Sequence, residues 1–146
     1  MGFNLFKRKS QEEVIRQKIQ KAWKNLIRKQ PNIFGLTPDS VQTEWNIVHH
    51  FANELQRLYR QYDCDIDLIK PSEGRRRPDI VLHKRGNHTL NFLVVEVKQS
   101  IDGVEDDVLK INNHWFYPPL SYQYGAVFAY NSDYISVIKN RTIKTN

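Results

Sequence analysis

Asp79, Glu96 and Lys98 are the residues whose types and setting admit chemistry. Asp79 follows Pro78 at the head of the apolar run Ile80-Val81-Leu82-His83, and Glu96-Val97-Lys98 closes the run Asn91-Phe92-Leu93-Val94-Val95. A charge at such a place costs free energy unless it is paired, hydrogen-bonded or bound to metal. Two carboxylates offer the hard oxygen ligands that hold Mg²⁺. A metal so held polarises a phosphate and helps generate hydroxide, while an ammonium group orients the water or offsets developing charge. The same residues also fit a blander assignment, with Asp79 capping a turn and Glu96 pairing with Lys98 on the surface of an edge strand.

Whether the charges meet depends on register. Both runs read as strands, and Arg85-Gly86-Asn87-His88 supplies the turn of a hairpin. If Gly86-Asn87 is a two-residue turn, Asp79 faces Val94 and Glu96 is its diagonal neighbour on one face. A loop two residues longer sets Asp79 directly opposite Glu96, and an odd-length loop without a bulge separates them. Alternation puts Glu96 and Lys98 on one face of their strand.

The pattern resembles the catalytic motif of the PD-(D/E)xK nuclease superfamily, with Pro78-Asp79 as its first half and Glu96-Val97-Lys98 as its second. It is similar to a group of small bacterial members through Arg77-Pro78-Asp79-Ile80, His83, Asn91, Glu96-x-Lys98 and Tyr124-Gly125, over roughly Ser40 to Tyr130. The resemblance implies an α/β fold, a restriction-endonuclease-like mixed sheet flanked by helices, carrying here an extra N-terminal amphipathic helix. It implies a Mg²⁺-dependent nuclease, with Mn²⁺ able to substitute, in which Asp79, Glu96 and the Val97 backbone carbonyl bind metal and Lys98 positions or activates water. Such enzymes commonly add an acidic residue from an upstream helix. DNA is the expected partner ahead of RNA, and a homodimer would serve to cut two strands. A non-catalytic nucleic-acid-binding or protein-interaction module on the same fold is the alternative.

The upstream helix is expected to start at Thr37-Pro38, with Thr as cap and Pro in the first turn. Val41, Trp45, Val48, Ala52, Leu55, Tyr59 and Tyr62 recur along it at helical spacing. At about 100° per residue, Glu44 lies within roughly 30° of the middle of that stripe and Glu54 on the order of 110° away. Glu44 is therefore expected to point inward as an additional or outer ligand, the alternative being a rim carboxylate paired with Lys or Arg. His49 and His50 fall at the margins and lack zinc-site spacing.

Arg75-Arg76-Arg77 brings three cations directly before Asp79, placed to hold phosphates beside the site or simply to solvate the loop. Lys110, on a short helix from about Val104 to Asn113, is expected either to face substrate or to lie on ordinary surface. Trp115-Phe116-Tyr117-Pro118-Pro119 is expected to pack on the core rather than to stack on bases. Asp63 to Ile69 reads as the first strand, its alternating acids Asp65 and Asp67 either marking a wet face or sitting near the site. Gln123 to Tyr130 reads as a strand parallel to the one ending at Lys98, and Tyr134 to Lys139 as the last strand, with a loose tail after Asn140.

With 146 residues and an ordinary balance of apolar and charged side chains, the chain is long enough for one domain with a core. It reads as residues 1–36, a basic helix and connector, and residues 37–146, the nuclease-like part, forming one compact unit. Cys64, the single cysteine, excludes an internal disulfide framework and agrees with a cytoplasmic setting. No run has signal-peptide or membrane-spanning character, so a soluble protein without a membrane partner is expected. Phe6 stands where an N-myristoylation pattern takes Ser or Thr. The net charge of +6 is concentrated between Met1 and Gln30, where nine Lys/Arg face two Glu. That excess suits nucleic-acid phosphates, an anionic surface, or a merely solvated face. Ser10 to Glu13 forms a capping box. Beyond it Val14, Ile15, Ile19, Ala22, Trp23, Leu26 and Ile27 make one apolar stripe, which should end before Pro31.

Overall fold

A computed structural model describes residues 7–143. The Gly2–Phe6 stretch weighed for acylation and the last three residues of the tail lie outside the described residues. The chain forms α1 (Gln11–Lys29), α2 (Glu44–Leu58), β1 (Asp63–Ile66), β2 (Ile80–His83), β3 (Leu93–Lys98), α3 (Val104–Lys110), β4 (Tyr124–Ala129) and β5 (Tyr134–Lys139). The strands build one mixed sheet in the order β1-β2-β3-β4-β5. All neighbours are antiparallel except β3 and β4, which run parallel with α3 in the crossover between them.

Alternation along β2 and β3 sorts the side chains into two cores. Ile80, Leu82, Leu93, Val95 and Val97 face α1 and α2, together with Ile15, Ile19, Phe51 and Leu55. Val81, Val94 and Val127 face α3 and the segment after it, which contributes Ile111, Trp115 and Phe116. The result is a sheet between two helical layers. No helix among the described residues is long and apolar enough to cross a membrane.

α1 begins as its sequence dictates, the Ser10 hydroxyl accepting from the Glu13 backbone N–H at 3.2 Å. Ile15, Ile19, Ala22 and Leu26 are buried along it, and the helix packs against α2 and β5.

α2 departs from expectation. Thr37 does not start it, because its hydroxyl is committed to a local turn with Asp39 and Ser40. Thr43 caps it instead, accepting from the Asn46 N–H at 3.1 Å. Val41 thus lies before the helix, 86% exposed, and Trp45 is 59% exposed. Removing those two from the apolar stripe rotates its centre. Glu54, expected to face outward, is buried where α1 crosses, with Lys29 Nζ at 2.9 Å from its carboxylate. Glu44 becomes the first residue of α2, exposed at the rim rather than aimed into the core.

The first strand is also shorter than expected, ending at Ile66, since Asp67 turns into the left-handed region at φ 55°. Asp67 lines a cavity next to Asp79, whereas Asp65 lies apart from it, half-buried between His83 and Arg85. Asp65 accepts from both Arg85 Nη2, at 2.6 Å, and Arg85 Nε, and lies 2.7 Å from His83 Nε2. Hydrogen bonding from Arg85 is the main reason that its carboxyl is held down to about 2. After Lys139, Asn140 is buried and its amide donates to the Phe116 and Tyr122 carbonyls, so the tail is anchored at its root.

Gly125 sets how close the α3 layer can come. A Cβ there would stand 2.5 Å from Ile111 Cγ2 and 3.3 Å from Phe116. Gly125→Ala should therefore destabilise the fold by about 1–3 kcal/mol through overpacking, read as a lower urea midpoint. An unchanged midpoint would show that the layer has slack.

Candidate active site

The hairpin pairs Ile80 with Val95, Val81 with Val94 and Leu82 with Leu93. Continued outward, this register sets Asp79 opposite Glu96 and Pro78 opposite Val97. Of the registers open to the sequence, the longer loop is the one adopted. A Lys84–Asn87 bridge closes on Arg85-Gly86, and a short 3₁₀ turn, His88–Leu90, takes up the remaining residues. Glu96 is 2% exposed on an interior strand of the sheet, which removes the assignment of Glu96 and Lys98 as an edge-strand surface pair.

Pro78 has a structural role here. Proline has no N–H to donate, so β2 offers no backbone donor to the Val97 carbonyl facing it. The Val97 N–H is taken by the Asp79 carboxylate at 2.7 Å. The motif therefore fixes Asp79 against β3 while leaving a main-chain oxygen beside it.

Glu96 is held from the other layer. Trp115 Nε1 donates to one carboxylate oxygen at 2.9 Å, and Lys110 Nζ lies 3.3 Å from the other. Trp115 reaches it because the chain passes from α3 into a π-turn, Ile111–Trp115, where the Phe116 N–H donates to the Ile111 carbonyl. Asp107 joins the two lysines, 3.1 Å from Lys98 Nζ and 3.7 Å from Lys110 Nζ. Burial raises the proton affinity of Glu96, and the neighbouring Asp79 charge raises it further against Lys110 and Trp115. Asp79 is raised chiefly by burial as well, opposed by the Val97 N–H and by its interaction with Glu96. Glu44 stands farther out, where partial burial and then Asp79 raise its proton affinity against the pull of Lys98. A cavity of ≈ 120 Å³ between Glu44, Trp45, Val48, Ile66, Asp67 and Asp79 opens beside the pair.

The chain, compared with protein-family models, curated proteins and solved structures, matches none.

Among the described residues, no group of three or more His, Cys, Asp and Glu has the arrangement of a metal site. The oxygen donors that the register brings together are the Asp79 and Glu96 carboxylates, with Glu44 beyond them. Such a set suits Mg²⁺, which binds through one or two carboxylates and keeps much of its water. The charge balance fits too. Four carboxylates, Glu44, Asp79, Glu96 and Asp107, face two ammonium groups, Lys98 and Lys110, leaving two negative charges when all are ionised.

One expectation about cations changes. Lys110, expected at the substrate or on open surface, turns inward to Glu96 and Asp107. The arginine loop is exposed, but Arg77 pairs with Asp67 at 3.3 Å and Arg76 donates to the Glu73 carbonyl, so neither guanidinium is bonded to the carboxylate pair. Arg75, at φ 62°, is exposed as well. Trp115 and Phe116 are buried, as expected of core packing, yet Trp115 also serves the site through its N–H. A buried indole needs an acceptor, and that need was the available sign. Asp107 carried a weaker one, its i,i+3 spacing from Lys110.

Proposed function

We propose that this protein is a Mg²⁺-dependent nuclease that hydrolyses DNA phosphodiester bonds. The observation that supports it most is the register bringing Asp79 opposite Glu96, with Lys98 next on the same face of β3. Asp79, Glu96 and the Val97 carbonyl would hold the metal, with Glu44 as an outer ligand. When bound, the metal would polarise the phosphate and lower the pKa of a water. Lys98 directs its ammonium group along the same edge, where it orients the attacking water and offsets charge that develops on the phosphate oxygens. Asp107 holds the Lys98 ammonium group in place. Trp115 and Lys110 hold the Glu96 carboxylate in one orientation. The site lies at the carboxyl end of the parallel pair β3 and β4, where sheets of this kind leave room for a ligand.

Supercoiled plasmid incubated with the protein and Mg²⁺ should be nicked or linearised, and EDTA should stop the reaction. Plasmid left intact in both Mg²⁺ and Mn²⁺, with RNA and single-stranded DNA also intact, would overturn the proposal. A second reading, a non-catalytic module that binds nucleic acid or protein, draws on the two lysines that already pair with Asp107 and Glu96. Mg²⁺-independent binding without cleavage is the result that would favour it.

A further inference from the structure

Two exposed aromatic surfaces lie near the candidate site. Trp45 follows Glu44 directly, is 59% exposed, and lies nearly parallel to the His49 ring, at 10° with centroids 6.1 Å apart. Its indole forms one wall of the cavity that reaches Asp79. Phe34 is 50% exposed and stacks on Tyr130 at 5.9 Å, and Tyr130 stacks on Trp23 at 5.2 Å. Tyr130 directly follows Ala129, the β4 residue paired with Lys98, so this stack shares the end of the sheet that holds the carboxylates.

Cations accompany both surfaces. Lys24 lies beside Trp23 at a neighbouring cavity, and Arg77 pairs with Asp67, which lines the same cavity as Trp45. Exposed rings at the same end of the sheet as a phosphate-directed site, with cations near them, are the parts of a single-strand binding surface. A duplex cannot use them, because its base faces are already covered by their neighbours. The strand that fits has unpaired bases on either side of the phosphate at Asp79 and Glu96.

We infer that the substrate is single-stranded or locally unpaired nucleic acid, with one base stacked on Trp45 and another on Phe34. This rests on the nuclease reading for its chemistry but is tested by binding alone. Fluorescence anisotropy in EDTA would compare a labelled oligothymidylate of about twelve nucleotides with a blunt hairpin duplex of similar length. The oligothymidylate should bind more tightly, Trp45→Ala and Phe34→Ala should each weaken it about tenfold, and Trp45→Phe should retain most of the affinity. Both side chains are exposed, so far-ultraviolet circular dichroism should be unchanged in all three variants. Equal affinity for the duplex, or an unchanged dissociation constant in Trp45→Ala, overturns the inference. So does absence of binding in a protein that sediments as a dimer and is made monomeric by Trp45→Ala, since the surface is then a subunit interface. Binding that behaves as expected in a protein that never cleaves would uphold the strand surface while refuting the nuclease reading. Duplex nicking indifferent to Trp45→Ala would do the reverse.

Discussion

Alanine at Lys98 should lower Mg²⁺-dependent nicking by about 100-fold or more while leaving metal binding in place. Lys98 is not a ligand in the proposed arrangement. Its ammonium group pairs with Asp107 at 3.1 Å and stands next to Glu96 on the same face of β3. Its contribution is to the attacking water and the developing phosphate charge, which are felt in the transition state, and loss of one such group typically costs 10²–10³ in rate. The side chain is partly exposed and terminal in its strand, so the fold should survive its truncation. A rate loss without loss of Mg²⁺ affinity separates this role from that of a ligand. If Lys98→Ala cut as fast as the native protein, Lys98 would be a partner of Asp107 and nothing more.

Glu96→Gln should flatten the dependence of stability on pH. Burial and the facing Asp79 raise the proton affinity of Glu96 in the folded protein. An acid whose folded pKa is raised holds its proton longer when folded than when unfolded. Stability is then greatest below the unfolded value and falls as pH rises from about 4.5 toward the folded value. Asp79 is shifted in the same direction, so the pair contributes jointly. The native protein should lose on the order of 2 kcal/mol between pH 5 and 8. The glutamine variant, which carries one ionisable group fewer in the pair, should lose clearly less. Urea midpoints across that range would measure it. Parallel curves for the two proteins would mean that Lys110 and Trp115 already compensate the ionised Glu96 in full. Added Mg²⁺ should restore native stability at the upper end of the range, because a bound divalent cation favours both carboxylates ionised.

The strand residues of the site were legible in the sequence because a strand has a fixed period and the hairpin offered few registers. Asp79, Glu96 and Lys98 had to share a face for any loop of the right parity, and loop length decided whether Asp79 met Glu96 diagonally or directly. The parallel placement of β4 likewise followed from a crossover too long for a hairpin, and β5 kept its expected bounds. The coarse architecture, a mixed sheet between helices, was therefore readable.

The helix-borne residues were less legible, for a physical reason. Thr37 commits its hydroxyl to a local turn with Asp39, and Thr43, six residues on, caps α2 instead. With the earlier start, Val41 and Trp45 counted as core and made Glu44 look central and Glu54 peripheral. The crossing of α1 reversed this, giving Glu54 a buried place beside Lys29 and leaving Glu44 at the rim. Lys110, Asp107 and Trp115 depend on how α3 docks and on the π-turn that follows it. A three-layer contact of that kind has no period in the chain to announce it. Gly125 comes closest to an announcement, since a residue without a Cβ marks where Ile111 must approach β4.

Calorimetric titration of Mg²⁺ and Mn²⁺ into the protein and into Glu96→Ala, with plasmid nicking measured on the same samples, tests the metal site most directly. The native protein should bind the metal and nick the plasmid, and the variant should do neither while remaining folded by circular dichroism. Binding and nicking that persist in Glu96→Ala, or a native protein that takes up no metal and leaves plasmid intact, would contradict a metal centre at Asp79 and Glu96.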